Sequence, residues 1–144
     1  MPFEIRPATV HDADDLVLLW ELAGLRFRPH EVRDELVPVL GRDPELVLVA
    51  QDETGLVGSV FGAYDGRRGW VNRLSTRPDR RGLGIARELM RRLEDALGRK
   101  GCSKLNLLVR RSNAEVVDFY TAIGYESDDV VFLGKRLGDQ TRSS

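Results

Sequence analysis

Cysteine is nearly absent from this 144-residue chain, histidine occurs twice, and neither sign of charge prevails. The single thiol, Cys102, excludes an internal disulfide framework. It follows Gly101 at the expected start of a strand, where it reads as a small buried residue and not as a nucleophile. His11 and His30 are too isolated to supply metal-ligand spacing, so no metal is expected. With 22 basic and 23 acidic side chains, the bulk charge points to neither nucleic acid nor an anionic membrane. No apolar run reaches the roughly 18 residues a membrane helix requires. The opening Met1-Pro2-Phe3-Glu4-Ile5-Arg6 lacks the apolar core of a signal peptide, which makes the expected location cytoplasmic.

What remains is a chain of the right length for one domain with its own core. Phe3 to Arg6 alternates like a short strand and is closed by Pro7. His11 to Ala23 reads as a helix with Leu16, Leu19, Trp20 and Ala23 on one face and Gly24 as its stop. Asp12 and Asp14 stand near its start, where the helix dipole favours negative charge. A second helix spans roughly His30 to Leu40, interrupted or ended near Pro38. The β-branched run Leu46 to Ala50 suits a central strand, and Glu53-Thr54-Gly55 turns it into Leu56 to Tyr64. Asp65-Gly66 marks a further hairpin leading into Trp70 to Thr76. A helix, a strand at Lys104 to Arg110, another helix and a last strand at Val130 to Leu137 follow. The order β-α-α-β-β-β-α-β-α-β predicts a mixed α/β sheet in a single domain over 1–137, with a polar tail at 138–144. No repeat or linker divides it.

The stretch Arg80-Arg81-Gly82-Leu83-Gly84-Ile85-Ala86 joins the strand ending at Thr76 to a helix marked by Ile85, Leu89, Leu93 and Ala96. Glycines let backbone N–H groups approach a ligand closely, and the first turn of a helix presents unpaired donors at its positive end. That combination suits a phosphate or pyrophosphate. Six arginines lie between Arg77 and Arg92. Arg77, Arg80 and Arg81 are expected near the phosphates, and Arg91 and Arg92 on a solvated helix face, with Glu88/Arg92 and Arg91/Asp95 as pairs. A dinucleotide fingerprint fails, because position 87 is Arg and the strand after the helix ends in Val109-Arg110-Arg111 without an acidic residue. A P-loop fails for want of Gly-Lys-Ser/Thr.

Arg81, Gly84 and Ala86 satisfy the pattern R-x-x-G-x-[GA], and Asn113 to Tyr125 follows N-x-x-A/V-x-x-h-Y-x-x-h-G-[FY], one helix and one strand later. In these two motifs, in this order, the chain resembles the GNAT superfamily of acyl-CoA-dependent N-acetyltransferases. Gly62 to Gly69, Arg99 to Cys102 and Leu133 to Leu137 resemble its YpeA-type bacterial branch. The resemblance implies the GNAT fold, a mixed and mostly antiparallel sheet splayed around an acyl-CoA site, with helices on both faces. It implies acetyl-CoA as cosubstrate and an amine as acceptor, either a protein N-terminus or a small molecule, and a homodimer by analogy. It implies contacts to the cofactor from Arg81, Gly82, Leu83, Gly84, Ile85 and Ala86, from the backbone of Leu74 and Thr76, and from Asn113.

Acyl transfer needs a neutral amine, a stabilised carbonyl oxygen and a protonated leaving thiolate. Two reactants bound together need no enzyme nucleophile, so the lack of a Ser/His/Asp or Cys/His set is compatible with turnover. Tyr120 matches the family's tyrosine near the sulfur and is the candidate proton donor; a core aromatic beside Val116, Val117 and Ile123 is the plain structural alternative. Ser112-x-x-Glu115 is a capping box in its own right, so an ordinary helix start is the plain alternative at Asn113. Both readings hold together, with Ser112 capping and Asn113 facing the cofactor as the resemblance implies. The family's strand glutamate falls near Arg68, and Trp70 to Thr76 hold no carboxylate. Asp65, Glu21, His30 and water are the alternatives for the base, with Tyr64 and Trp70 as candidate pocket walls. A module that binds acyl-CoA without turnover is the other class of reading.

Overall fold

The computed structural model describes residues 2–138 of the chain. Residues 139–144, most of the expected polar tail, lie outside the described residues. The chain divides into two compact units, Met1–Leu108 and Val109–Ser144, taken here in turn.

The first unit holds a five-stranded sheet in the order β1 (Glu4–Pro7), β2 (Val47–Asp52), β3 (Gly55–Tyr64), β4 (Gly69–Thr76) and β5 (Leu105–Asn106). The first four strands are antiparallel neighbours, and β5 runs parallel to β4. The expected strand from 104 to 110 contracts to these two residues.

Between β1 and β2 come α1 (Ala13–Ala23) and α2 (Val32–Arg42). Thr9 and Asp12 close a capping box over the single turn that precedes α1. Asp12 also takes both ends of the Arg6 guanidinium at 2.8 and 2.9 Å. That pairing holds the Asp12 carboxyl below its ordinary range despite its burial. Gly24, at φ +78°, ends α1 in the left-handed conformation that glycine adopts without strain. Leu16, Leu19 and Trp20 are fully buried, as their spacing predicts, and the Trp20 ring meets Phe27 and Phe61 edge-on at 5.5 and 5.4 Å.

Contrary to expectation, α2 runs through Pro38 to Arg42. Proline there forfeits one intrahelical bond. Leu36 is fully buried, and Val39 and Leu40 pack on the same cluster, so burial on both sides of Pro38 carries the helix across it.

On the opposite face of the sheet lies α3 (Ile85–Arg99), with Ile85, Leu89, Met90, Leu93, Ala96 and Leu97 buried. Side chains alternate along a strand, so Ser59 and Phe61 of β3 face α1 while Gly58 and Gly62 face α3. A Cβ at position 58 would lie 2.7 Å from Ile85 Cγ2 and 3.2 Å from the Ser75 carbonyl oxygen. The helix therefore packs directly on the backbone of β3. Cys102 is half-buried, precedes β5 and bonds the Lys104 carbonyl through Sγ at 3.3 Å.

The second unit is built on α4 (Ala114–Ala122), with Gly124 at φ +104° and the Tyr125 N–H bonded to the Tyr120 carbonyl at 2.9 Å. The strand expected at Val130 to Leu137 does not form: these residues have no regular structure, and Val130, Val131, Phe132, Leu133 and Leu137 are all more than two-thirds exposed. A strand takes its stability from ladder partners, and β-propensity without pairing does not hold one.

The close approach of α3 to β3 makes a specific stability prediction. Gly58→Ala should lower the unfolding free energy by about 1–3 kcal/mol through overpacking. A urea titration showing no fall in midpoint would contradict the packing described.

Candidate functional site

After β4 the chain makes one tight turn at Pro78–Arg80 and then passes through Gly82 and Gly84, at φ +82° and +84°. Nothing lies within 4 Å of a Cβ added at either glycine, so conformation and not space demands glycine there. Gly84 is the residue that starts α3, and it brings no capping side chain. The first turn of α3 thus ends in backbone donors without a side-chain acceptor, at the positive end of a 15-residue helix. Arg81, Gly82, Leu83 and Gly84 are exposed at this point, with Ala86 half-buried. Ile85 is different: it is buried and anchors the helix on β3, so it can offer a ligand its backbone alone.

The arginines divide in a way their spacing does not show. Arg77 bonds Asp79 at 2.7 Å and the Thr54 hydroxyl at 2.8 Å. Arg80 bonds Asp52 at 2.8 Å and Asp79 at 3.0 Å, and the Asp52 side chain is 1% exposed. These two arginines, expected near phosphate, are engaged within the protein and tie the loop to the β2–β3 turn. The Thr54 hydroxyl and Arg80 together hold the Asp52 carboxyl well below the usual range. Arg81 and Arg87 are exposed and make no ion pair with a described residue. Arg91 pairs with Glu88 and with Asp95, while Arg92 reaches the Ile5 carbonyl at 3.5 Å instead of pairing with Glu88.

On β4 the register against β3 slips: Ser59 faces Ser75, but Phe61 faces Asn72, so Arg73 and Leu74 together oppose Val60. This is a β-bulge, and Arg73 takes φ +55° in it, the one non-glycine residue with positive φ among those described. Such backbone costs about 1–3 kcal/mol and persists where the surroundings over-determine it. The bulge changes which backbone groups face outward. The Arg77 N–H bonds the Val57 carbonyl, so Arg77 and Ser75 turn toward β3 and Leu74 and Thr76 turn away. At the other end the Gly69 N–H bonds Lys104, so Gly69 and Val71 turn away. An unbroken strand would have turned Arg73 and Ser75 outward. Past Trp70, β4 has no described strand on that outward edge, because β5 pairs with Gly69 and Trp70 alone.

The bulge is braced from behind. Trp20 Nε1 donates to Ser59 Oγ at 2.9 Å, and the Ser59 hydroxyl donates to the Arg73 carbonyl at 2.7 Å. Ser59 has no second proton, so in its 2.7 Å bond with Ser75 the Ser75 hydroxyl is the donor. The Arg73 guanidinium meets both oxygens of Glu35 at 2.8 and 2.6 Å, donates to the Arg26 carbonyl at 2.8 Å and lies 4.8 Å from the centre of the Trp20 ring. Neither Arg73 nor Glu35 stands out in the sequence. Burial along β4 hides the slip, because Gly69, Val71 and Ser75 are buried in step with one alternation. The contacts alone show it, with Ser75 meeting Ser59 while a Cβ at Gly69 would meet Leu97 of α3.

In the second unit Asn113 is the residue that starts α4, and its side chain makes no capping bond. The capping box expected from Ser112 does not form, because the helix begins one residue later than that box requires. Asn113 is exposed. Tyr120 is buried, stacked edge-on against Phe119 and Tyr125 at 5.2 and 5.4 Å, and burial pushes its hydroxyl above the ordinary tyrosine range.

The alternatives for a base fare unequally. Asp65 accepts the Arg67 and Arg68 N–H groups at 2.8 and 2.7 Å, which close its turn and hold its carboxyl down. Trp70 and Tyr64 fold onto the same turn, through Asp65 at 3.4 Å and the Gly66 carbonyl at 3.1 Å. His30 is exposed beside Glu31 at 3.8 Å, and Glu21 is exposed on α1. Among the described residues no cluster of three or more potential ligands could hold a metal ion, and no helix is long and apolar enough to cross a membrane.

Residues 14–125 match the model of a family described as acetyltransferase (GNAT). An acetyltransferase of Yersinia enterocolitica is 42% identical over 134 residues, covering 93% of this chain and 95% of the relative. One of Sodalis glossinidius is 42% identical over 135 residues, with the same coverage. Among solved structures, the PaiA N-acetyltransferase of Thermoplasma acidophilum in complex with coenzyme A superposes with a TM-score of 0.77 at 21% identity, covering 91% of this chain and 94% of that one. An aminoglycoside antibiotic 6′-N-acetyltransferase of Acinetobacter haemolyticus gives 0.78 at 18% identity, with 94% and 99% covered. At such identities the likeness is one of fold.

The Asp52–Arg80 pair carries a pH signature. Asp52 titrates below its unfolded value of 3.8, so its contribution is complete above that pH and is lost as pH falls through the lower folded value. The stability difference between wild type and Asp52→Asn, followed by urea titration, should be flat near neutrality and shrink below pH 3.8. A difference that grows on acidification would remove this role.

Proposed function

The chain belongs to the acetyltransferase (GNAT) family, and on that premise we propose that it transfers the acetyl group of acetyl-CoA to a primary amine by direct attack. The observation that carries this reading is the start of α3, an uncapped helix end behind two left-handed glycines with Arg81 and Arg87 exposed. It suits the pyrophosphate of CoA, held by the backbone from Arg81 to Ala86. The outward groups of Leu74 and Thr76, on an edge of β4 with no partner strand among the described residues, suit the pantetheine arm as an added strand. Asn113 is assigned to the cofactor by the family's pattern. Acetyl-CoA is then a substrate, and a cytoplasmic location follows from its supply.

In the reaction the amine nitrogen attacks the thioester carbon, the C–S bond breaks, and the sulfur leaves as a thiolate. Tyr120 gives the thiolate its proton, the amine loses one to water, and water returns a proton to Tyr120. Burial keeps the Tyr120 proton in place at neutral pH. A thiolate sharing that dry environment is made more basic by the same desolvation, which narrows the gap between donor and acceptor. No carboxylate stands on 70–76, so the acceptor reacts from its neutral fraction or through water. The acceptor is a protein N-terminus or a small amine. The missing carboxylate also favours a second reading, an acyl-CoA-binding module without turnover; turnover with a panel of amines and peptides separates the two.

Titration calorimetry should give selective micromolar binding of acetyl-CoA over NAD and ATP, and Gly84→Trp should abolish it by filling the backbone approach and straining φ. Absence of binding to wild type would end the enzyme reading. Once an acceptor is found, Tyr120→Phe should lower kcat about a hundredfold with the acetyl-CoA affinity nearly unchanged. An unaltered kcat in single-turnover measurements would take Tyr120 out of the mechanism.

A further inference from the structure

We infer that Arg73 is a positioning residue whose side chain, through Glu35, the Arg26 carbonyl and the Trp20 ring, holds the β4 bulge in the phase that presents Leu74 and Thr76 to the acyl-pantetheine arm. The inference rests on the proposed use of acetyl-CoA.

Three observations lead to it. The bulge puts a residue with a Cβ in the left-handed region, where glycine would be free of strain, so the side chain at 73 does something a glycine would not. That side chain is fully engaged and held from three separate elements. Glu35 grips it from α2 by a two-pronged pair, the Arg26 carbonyl from the segment joining α1 to α2, and the Trp20 ring from α1. Its carbonyl is fixed independently by Ser59, whose hydroxyl is in turn held by Trp20 and Ser75. Trp20 therefore touches both ends of one residue, the guanidinium through its ring face and the carbonyl through Ser59.

The consequence is geometric. Whether Leu74 and Thr76, or Arg73 and Ser75, face the free edge depends on one extra residue being absorbed at Arg73. If Arg73 slips to extended backbone, the bulge dissolves or migrates and the outward donors move by one position. A strand-like ligand reads that change directly, because its bonds alternate along the edge. The pyrophosphate loop beyond Arg77 is held by other contacts, Asp52, Thr54 and Asp79, and stays in place. Arg73 and Glu35 thus serve the acyl-pantetheine end of the ligand and not its nucleotide end.

The test compares two ligands on three proteins. Wild type, Arg73→Gly and Glu35→Gln are titrated with acetyl-CoA and with 3′-phosphoadenosine 5′-diphosphate, the part of CoA without its pantetheine arm, in a displacement format. Each variant should bind acetyl-CoA about tenfold more weakly while binding the nucleotide fragment within about twofold of wild type. Arg73→Gly keeps access to the left-handed backbone and loses the anchors, so wild-type affinity for acetyl-CoA in that variant would overturn the inference. An equal loss for both ligands would also overturn it, since it would mark general loosening of the fold. If Arg73→Gly does not fold, the same ratio is read from Glu35→Gln, where the carboxylate partner alone is removed. Wild type that binds the nucleotide fragment and acetyl-CoA equally well would overturn the inference while sparing the pyrophosphate loop. Wild type that binds neither would end the acetyl-CoA reading itself.

Discussion

The supernumerary residue of β4 organises the first unit beyond its own strand. By taking φ +55°, Arg73 sends the backbone groups of Leu74 and Thr76 to an edge that β5 leaves open after Trp70. The strain is tolerated because the fold holds the residue from the sheet below and from both helices above. A buried Trp20–Ser59–Ser75 chain satisfies every proton it contains, so polar atoms at the centre of the core carry little desolvation cost. The largest core side chain and the most unusual backbone are therefore parts of one arrangement.

Electrostatics in this chain shapes the loop more than it decorates it. Arg77 and Arg80 are closed off by Asp79, Thr54 and the buried Asp52, which fixes the path from β4 to α3. A buried carboxylate without its partner would be costly, so this pair specifies a single loop conformation. What remains for an anion is the backbone at the start of α3, with Arg81 and Arg87 beside it. The near-neutral total charge hides this local division of labour.

Much of this was legible before any coordinates. The spacing of Leu16, Leu19 and Trp20, and of Ile85, Leu89, Leu93 and Ala96, located the buried faces of α1 and α3, because a helical period is a property of neighbouring residues. Gly24 and the Gly82–Gly84 loop were visible for the same local reason. Pro38 misled, since a local penalty was outweighed by burial of Leu36, Val39 and Leu40 on a distant sheet. Ser112 misled by one residue, because capping depends on where the helix starts. The apolar run at Val130 to Leu137 has the composition of a strand but no ladder to join.

The sequence by itself determined the family, the order of elements as far as α4, the glycine loop and the residues that carry its motifs, all of which depend on local spacing. The tertiary structure decided which arginines are engaged, where β4 takes its extra residue, and that Arg73, Glu35 and Trp20 belong together. Those facts depend on contacts between separate parts of the chain, such as Arg80 with Asp52, 28 positions apart, and Arg73 with Glu35, 38 apart. No local pattern encodes them, since an ion pair and a strand register exist only once separate parts of the chain have met.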